Sequence, residues 1–213
     1  MSHYFDEDPV TGSAPTTVAV EVPGARFEMR TDRGVFSHGR LDAGTEVLLR
    51  HAPAPPASGT LLDLGCGAGP IALTLALRSP AATVWALDVN ERARAVCAGN
   101  ARRLDLTRVR IAAPEDFPGD VRIDAIWSNP PIRIGKPALH ALLTTWLDRL
   151  RPSARAHLVV HKHLGSDSLH RWMVDQGWPV ERIASVKGYR VLAVDARPEP
   201  ASRPRRVDGE TQP

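Results

Sequence analysis

From Leu61 onward the chain alternates short apolar runs with longer segments of helical spacing, and this alternation limits the possible folds more than any other feature. Leu61 to Leu64, Thr83 to Leu87, Val109 to Ala112, Ile123 to Trp127 and His157 to His161 read as strands. Pro70 to Arg78, Glu91 to Leu104, Pro137 to Leu150 and Ser166 to Gln176 read as helices. The first of these has proline in its first turn, where a missing N–H costs nothing. Strands that alternate with helices form a mostly parallel sheet covered on both faces, and right-handed crossovers make it doubly wound. Val180 to Lys187 and Arg190 to Asp195 pair about Gly188 as a terminal hairpin, which places one antiparallel strand in the sheet. The expected fold is α/β, with a doubly wound sheet of seven strands.

Ahead of this pattern, Val18 to Val22 and Arg26 to Thr31 are β-prone runs flanking Pro23-Gly24, a turn signal. They predict a small N-terminal β-hairpin after a loose lead-in over 1–17. Leu41 to His51 has helical spacing, and Pro53 to Gly59 reads as a linker. The expected organisation is an N-terminal hairpin and helix extension over 1–58 and a main domain over 59–196. A disordered tail over 197–213, rich in Arg and Pro, completes it.

A length of 213 residues is ample for one domain, and a net charge of +3 excludes a histone-like polycation while permitting a local basic patch. Two cysteines, Cys66 and Cys97, cannot form a disulfide framework or a four-thiolate zinc site. The N-terminus is polar and acidic, unlike a secretory leader. The apolar runs fall far short of the ~18 residues of a membrane span. A cytoplasmic setting is expected.

The strongest local motif is Asp63-Leu-Gly65-Cys66-Gly67-Ala-Gly69, between a strand and a helix. Its glycines permit positive φ and close approach of the backbone to a ligand, and helix N-terminal N–H groups favour a carboxylate there. A dinucleotide fingerprint would place its third glycine at position 70, where Pro70 stands. Asp63 would sit badly beside a pyrophosphate but suits an ammonium group. Asp88, ending the second strand, is placed to accept the hydroxyls of a ribose. The alternative is a helix cap, since Asp88 and Asn90 both precede a helix. Glu115-Asp116, after the third strand, can take an adenine amine or stand as solvated loop carboxylates.

Ser128-Asn129-Pro130-Pro131-Ile132-Arg133 ends the fourth strand, at the carboxyl edge where open α/β sheets bind ligands. Two prolines fix the backbone and remove two donors. The Asn129 side-chain oxygen and the Pro130 carbonyl then form a rigid row of acceptors suited to a planar –NH₂ group. Two acceptors on its two hydrogens align such a nitrogen without a strong base. His161-Lys162-His163 lacks carboxylate or thiolate partners, and no metal is expected.

Together, Asp63-x-Gly65-x-Gly67-x-Gly69, Asp88 and Asn129-Pro130-Pro131 resemble the class I S-adenosylmethionine-dependent methyltransferases that modify planar amino groups. The chain is more similar still to their "methyltransferase small" group, which includes the guanine-N2 methyltransferases of small-subunit ribosomal RNA. Gly34-Val35-Phe36-Ser37 with Leu41-Asp42-x-Gly44, Arg133 to Lys136, and Lys187-Gly-Tyr-Arg190 resemble further segments of that group. The resemblance covers about residues 3–195. It implies a Rossmann-like fold and S-adenosylmethionine as cofactor. Asp63 and the loop of Gly65, Cys66, Gly67 and Gly69 would hold its methionine part. Asp88, with Val89 beside it, would take the ribose, and Asp116 the adenine. Asn129 and Pro130, with Pro131 and Ile132, would form the catalytic segment that receives the target amine, and the sulfonium would deliver its methyl by in-line displacement.

Ile132 stands where many relatives carry Phe or Tyr to stack on the flipped base. Lys136, Lys162 and Lys187 are the only lysines beside 24 arginines, and all three fall on the carboxyl side of the expected sheet. With Phe36 and Arg133 they are expected to bind substrate, the lysines and Arg133 through RNA phosphates. The leading expectation is an RNA guanine-N2 methyltransferase with ribosomal RNA or a ribosomal subunit as partner. The alternatives are a protein glutamine-amide methyltransferase, a small-molecule methyltransferase and a non-catalytic RNA-associated module.

Overall fold

The computed structural model describes residues 15–32, 35 and 40–198. Two strands, β1 (Thr16–Val22) and β2 (Ala25–Thr31), precede α1 (Ala43–His51), β3 (Thr60–Leu64) and α2 (Pro70–Arg78). Then follow β4 (Thr83–Leu87), α3 (Glu91–Arg103), β5 (Val109–Ala112), β6 (Ile123–Ser128) and α4 (Lys136–Leu147). The last elements are β7 (Leu150–His161), α5 (Ser166–Asp175), β8 (Val180–Val186) and β9 (Tyr189–Asp195).

The expected sheet forms. Seven strands lie in the order β5-β4-β3-β6-β7-β9-β8. The pairs β3–β4, β3–β6, β4–β5 and β6–β7 are parallel, whereas β9 runs antiparallel to both β7 and β8. The chain order reverses between β3 and β6. Their carboxyl ends therefore flank the topological switch point of the sheet, where a crevice opens.

Successive residues of a strand face opposite sides of a sheet, and both sides here are apolar. Leu62, Leu64, Ile126, Leu158 and Val160 pack with Leu143, Trp146, Leu169 and Met173 of α4 and α5. Leu61, Ala125, Trp127 and Val159 pack on the other side with Leu48, Ile71 and Cys97 of α1, α2 and α3. The N-terminal hairpin joins this second layer through the buried face of Val18, Val20, Phe27 and Met29. Buried Asn100 of α3 ties it down. Its Oδ1 accepts the Arg30 N–H at 2.8 Å, and its Nδ2 donates to the Arg30 carbonyl at 2.8 Å and to that of Ala68 at 2.9 Å.

Several boundaries differ from expectation. β1 begins at Thr16, inside the expected lead-in, because Thr16 pairs with Thr31. The helix expected to reach Leu150 stops at Leu147, and β7 starts at Leu150 rather than His157. Leu150 pairs with Ile123 and Arg155 with Ala125, so the intervening residues form an irregularity, with Ser153 at φ 66. A polar segment with a proline hid this strand extension. Of the expected tail, residues 199–213 lie outside the described residues, and Arg197 lies over the Trp178 ring at 3.7 Å. Among the described residues no helix is long and apolar enough to cross a membrane.

Candidate active site

The carboxyl ends of β3, β4 and β6 bring the sequence motifs together. After β3 the loop crosses the end of β4, with the amides of Gly65 and Cys66 both donating to the Leu87 carbonyl. Gly69 is the αL N-cap of α2 at φ 96, and a Cβ there would lie 2.6 Å from the Cys97 Sγ. Only glycine serves at that position. A Cβ at Gly65 would meet nothing nearer than Pro131 Cδ at 3.9 Å, so the loop faces open space.

Asp63 lies beneath this loop and is fully buried. Its Oδ2 accepts the Ala72 N–H at 2.9 Å, while its Oδ1 has no partner. Burial, reinforced by the nearby Asp88 and opposed by the Ala72 hydrogen bond, raises its pKa from 3.8 to about 8. An unmatched, buried carboxyl oxygen beneath an open glycine loop suits a ligand that carries an ammonium group.

Asp88 follows β4. Its Oδ2 accepts the Gly67 N–H at 2.8 Å and its Oδ1 the Asn90 N–H at 2.9 Å. Burial raises its pKa, opposed by these amides and by the Arg94 charge. The cap of α3 is Asn90, which accepts the Ala93 N–H at 3.0 Å, so Asp88 braces the glycine loop instead. Val89 is half-buried beside it, and Asp116 ends a short 3₁₀ turn, Pro114–Asp116, exposed after β5. These residues fit the cofactor that the motifs imply: an acid under an open loop, and carboxylates at the ends of the next two strands.

At the end of β6, buried Ser128 donates its hydroxyl to the Leu64 carbonyl at 2.6 Å, which holds the following residues beside the glycine loop. The Asn129 Nδ2 donates to Asp42 Oδ2 at 2.7 Å and Thr45 Oγ1 at 3.2 Å. Asp42 is also the N-cap of α1, accepting the Thr45 N–H at 2.8 Å with the same oxygen. The Pro130 carbonyl accepts the Ile132 N–H at 2.8 Å, closing an inverse γ-turn about Pro131 (φ −74, ψ 74). One of that carbonyl's lone pairs is therefore engaged.

Asn129 and Asp42 stand between two recesses. One is lined by Gly65, Cys66, Gly67 and Thr45 on the glycine-loop side. The other, of about 250 Å³, is lined by Pro130, Pro131, Ile132, Arg133, His161 and Tyr189. In this second recess the His161 and Tyr189 rings meet edge to face at 4.8 Å. Neighbouring residues are shaped to admit them. A Cβ at Gly44 would lie 2.8 Å from the Tyr189 ring, and one at Gly188 would lie 2.7 Å from His161 Nε2.

Lys136, Lys162 and Lys187 are exposed along this edge, with Lys136 opening α4 and Lys162 following β7. The Lys162 N–H donates to the Gly188 carbonyl at 2.8 Å, which sets Lys162 and Lys187 side by side. Arg133 is exposed in the turn after Pro131. Phe36 lies outside the described residues. Among the described residues no three His, Cys, Asp or Glu side chains are placed to hold a metal.

The motif reading missed Asp42, Thr45 and Tyr189 as members of the site. An Asp three residues before Thr45, at the start of a helical pattern, is legible as a cap. Its reach to Asn129 is not.

A family model described as the methyltransferase small domain matches residues 26–193. The chain is 32% identical over 193 residues to "Uncharacterized protein YbxB" of Bacillus subtilis (strain 168), covering 89% of this chain and 96% of that protein. It is 37% identical over 166 residues to "Ribosomal RNA small subunit methyltransferase C" of Ectopseudomonas mendocina, covering 75% of this chain and 48% of that protein. Among solved structures it resembles the T. thermophilus 16S rRNA N2 G1207 methyltransferase (RsmC) in complex with AdoMet and guanosine. There the TM-score is 0.74 at 23% identity, covering 89% of this chain and 52% of that one. The chain thus spans about half the length of the ribosomal RNA methyltransferases it matches.

Proposed function

This chain belongs to the methyltransferase small family and is an S-adenosylmethionine-dependent methyltransferase, and from that premise we propose that it methylates the exocyclic N2 amine of a guanine in small-subunit ribosomal RNA. The observation that carries the reading is the position of Asn129 between the glycine-loop recess and the recess walled by Pro131, Ile132 and Tyr189. An acceptor amine bound to Asn129 lies between the two.

S-adenosylmethionine, when bound, supplies an electrophilic methyl group on a sulfonium. Asp63 and the glycine loop hold its methionine end, Asp88 its ribose and Asp116 its adenine. Asn129 Oδ1 and the free lone pair of the Pro130 carbonyl accept the two hydrogens of the target amine. Those bonds orient the nitrogen lone pair and favour the charge that develops on nitrogen as it attacks. Ile132 gives the base an apolar contact, and Tyr189 and His161 supply the aromatic faces that position 132 lacks. Lys136, Lys162, Lys187 and Arg133 bind phosphates of the surrounding RNA, and the enzyme works in the cytoplasm where ribosomal subunits are assembled. The relatives named for small-subunit ribosomal RNA favour this substrate over a glutamine side chain.

The test is transfer of a labelled methyl group to 16S RNA, either naked or assembled into small subunits, from cells lacking the gene. Nucleoside analysis is expected to place the label in N2-methylguanosine. Label in another nucleoside, or in ribosomal protein alone, overturns the assignment.

A further inference from the structure

We infer that Asp42 is the positioning residue of this site, because it dictates which end of the Asn129 amide faces the acceptor recess. The inference rests on Asn129 receiving the target amine and goes one step behind it. A side-chain amide has a donor end and an acceptor end of nearly equal size. Rotated by half a turn, Asn129 would offer an –NH₂ to an incoming –NH₂ and repel it.

A carboxylate accepts and does not donate. With Asp42 Oδ2 at 2.7 Å from the amide nitrogen, the opposite orientation would set two oxygens against each other. The Thr45 hydroxyl at 3.2 Å adds a second acceptor on the same side. The acceptors come from the N-cap and the first turn of α1, and Asp42 is fixed in turn by the Thr45 N–H at 2.8 Å. The helix terminus therefore acts as a bracket, holding the Asn129 nitrogen on the α1 side. The carbonyl end of the amide, Oδ1, is then the end left for the acceptor amine. A charge-assisted bond to nitrogen also draws electron density toward the amide oxygen and strengthens it as an acceptor.

Asp42→Ser separates this role from helix capping. Serine caps as well as aspartate but is one atom too short to keep the bond to Asn129. Asp42→Asn restores an oxygen that can take both the Thr45 and Asn129 hydrogens. We expect kcat to fall about 100-fold in Asp42→Ser, with cofactor affinity and thermal midpoint close to wild type. Asp42→Asn should recover at least tenfold of that loss. In an Asn129→Ala background, Asp42→Ser should produce no further fall, because the group it positions is gone.

A second readout needs neither substrate nor cofactor. The chain has only three asparagines, Asn90, Asn100 and Asn129. In protein labelled with nitrogen-15 asparagine, the side-chain pair missing from Asn129→Ala identifies Asn129. Its two protons should be widely separated in wild type and Asp42→Asn, and should collapse toward the free-amide position in Asp42→Ser.

Wild-type kcat in Asp42→Ser, an undiminished effect of Asp42→Ser in the Asn129→Ala background, or an unchanged Asn129 resonance would each overturn the inference. If wild-type protein methylates no RNA, it is the guanine reading that fails, and the resonance experiment still decides the role of Asp42.

Discussion

At the scale of single residues, the site joins two buried or half-buried acids that do different work. Asp88 is satisfied by two backbone amides and stiffens the glycine loop. Asp63 has one such amide and one oxygen without a partner, and its pKa rises to about 8. In the ligand-free protein it is largely protonated at neutral pH. A raised acid favours the folded state most where both states hold the proton, below about 3.8. That contribution declines between about 3.8 and 8, where the unfolded chain has ionised this acid while the folded state still holds its proton, and is gone once pH has risen through about 8. A cation at Oδ1 needs the ionised form, so its binding releases a proton below pH 8. Affinity for S-adenosylmethionine should therefore rise from pH 6 to about 8, approaching tenfold per unit, and Asp63→Asn should flatten that profile. Calorimetric titration across this range measures it, and parallel profiles for the two proteins would remove Asp63 from the cofactor site.

At the scale of elements, Asn100 connects three parts of the chain. It completes the hydrogen bonding of Arg30 in β2 from α3 and also holds the Ala68 carbonyl of the glycine loop. Replacing it with alanine leaves buried backbone groups without partners. Asn100→Ala should cost about 3 kcal/mol in a denaturant titration and weaken the cofactor several-fold through the loosened loop. A loss below about 1 kcal/mol would mean that water takes over these bonds. The elements themselves were largely legible in the sequence. Pro70 marked the start of α2 and Pro23-Gly24 the hairpin turn, since both act through local backbone restriction. The start of β7 was not legible. Arg151, Pro152 and Ser153 have no strand pattern, and only the pairing of Leu150 with Ile123 and of Arg155 with Ala125 in β6, on either side of that irregularity, carries the strand across it.

At the scale of the whole molecule, one edge of the sheet gathers the glycine loop, the Asn129 turn and the three lysines. Positive charge along a rim releases counterions when it meets phosphate, so its contribution reads out as salt dependence. Lys136→Gln with Lys162→Gln should reduce the slope of log K against log salt for RNA by about 0.7 for each phosphate no longer neutralised. Cofactor affinity should stay unchanged. An unchanged slope would place the RNA on another face. The placement of Lys162 against Lys187 depends on the order of β7, β9 and β8, which brings the β8–β9 turn to the end of β7.

The sequence alone determined the alternation that builds the sheet, the glycine loop under which Asp63 lies, and the rigid acceptor turn at Asn129-Pro130-Pro131. Each of these is written in neighbouring residues, through periodicity, permitted φ or a missing donor. Tertiary structure decided what surrounds them. Asp42 reaches Asn129 across 87 positions of chain, and Tyr189 packs on Gly44 from the far end of the domain. Such pairs leave no local pattern, because their spacing is set by how helices and strands stack and not by the bonds between adjacent residues. The acceptor end of Asn129 is accordingly a property of the fold, while the presence of an asparagine there is a property of the sequence.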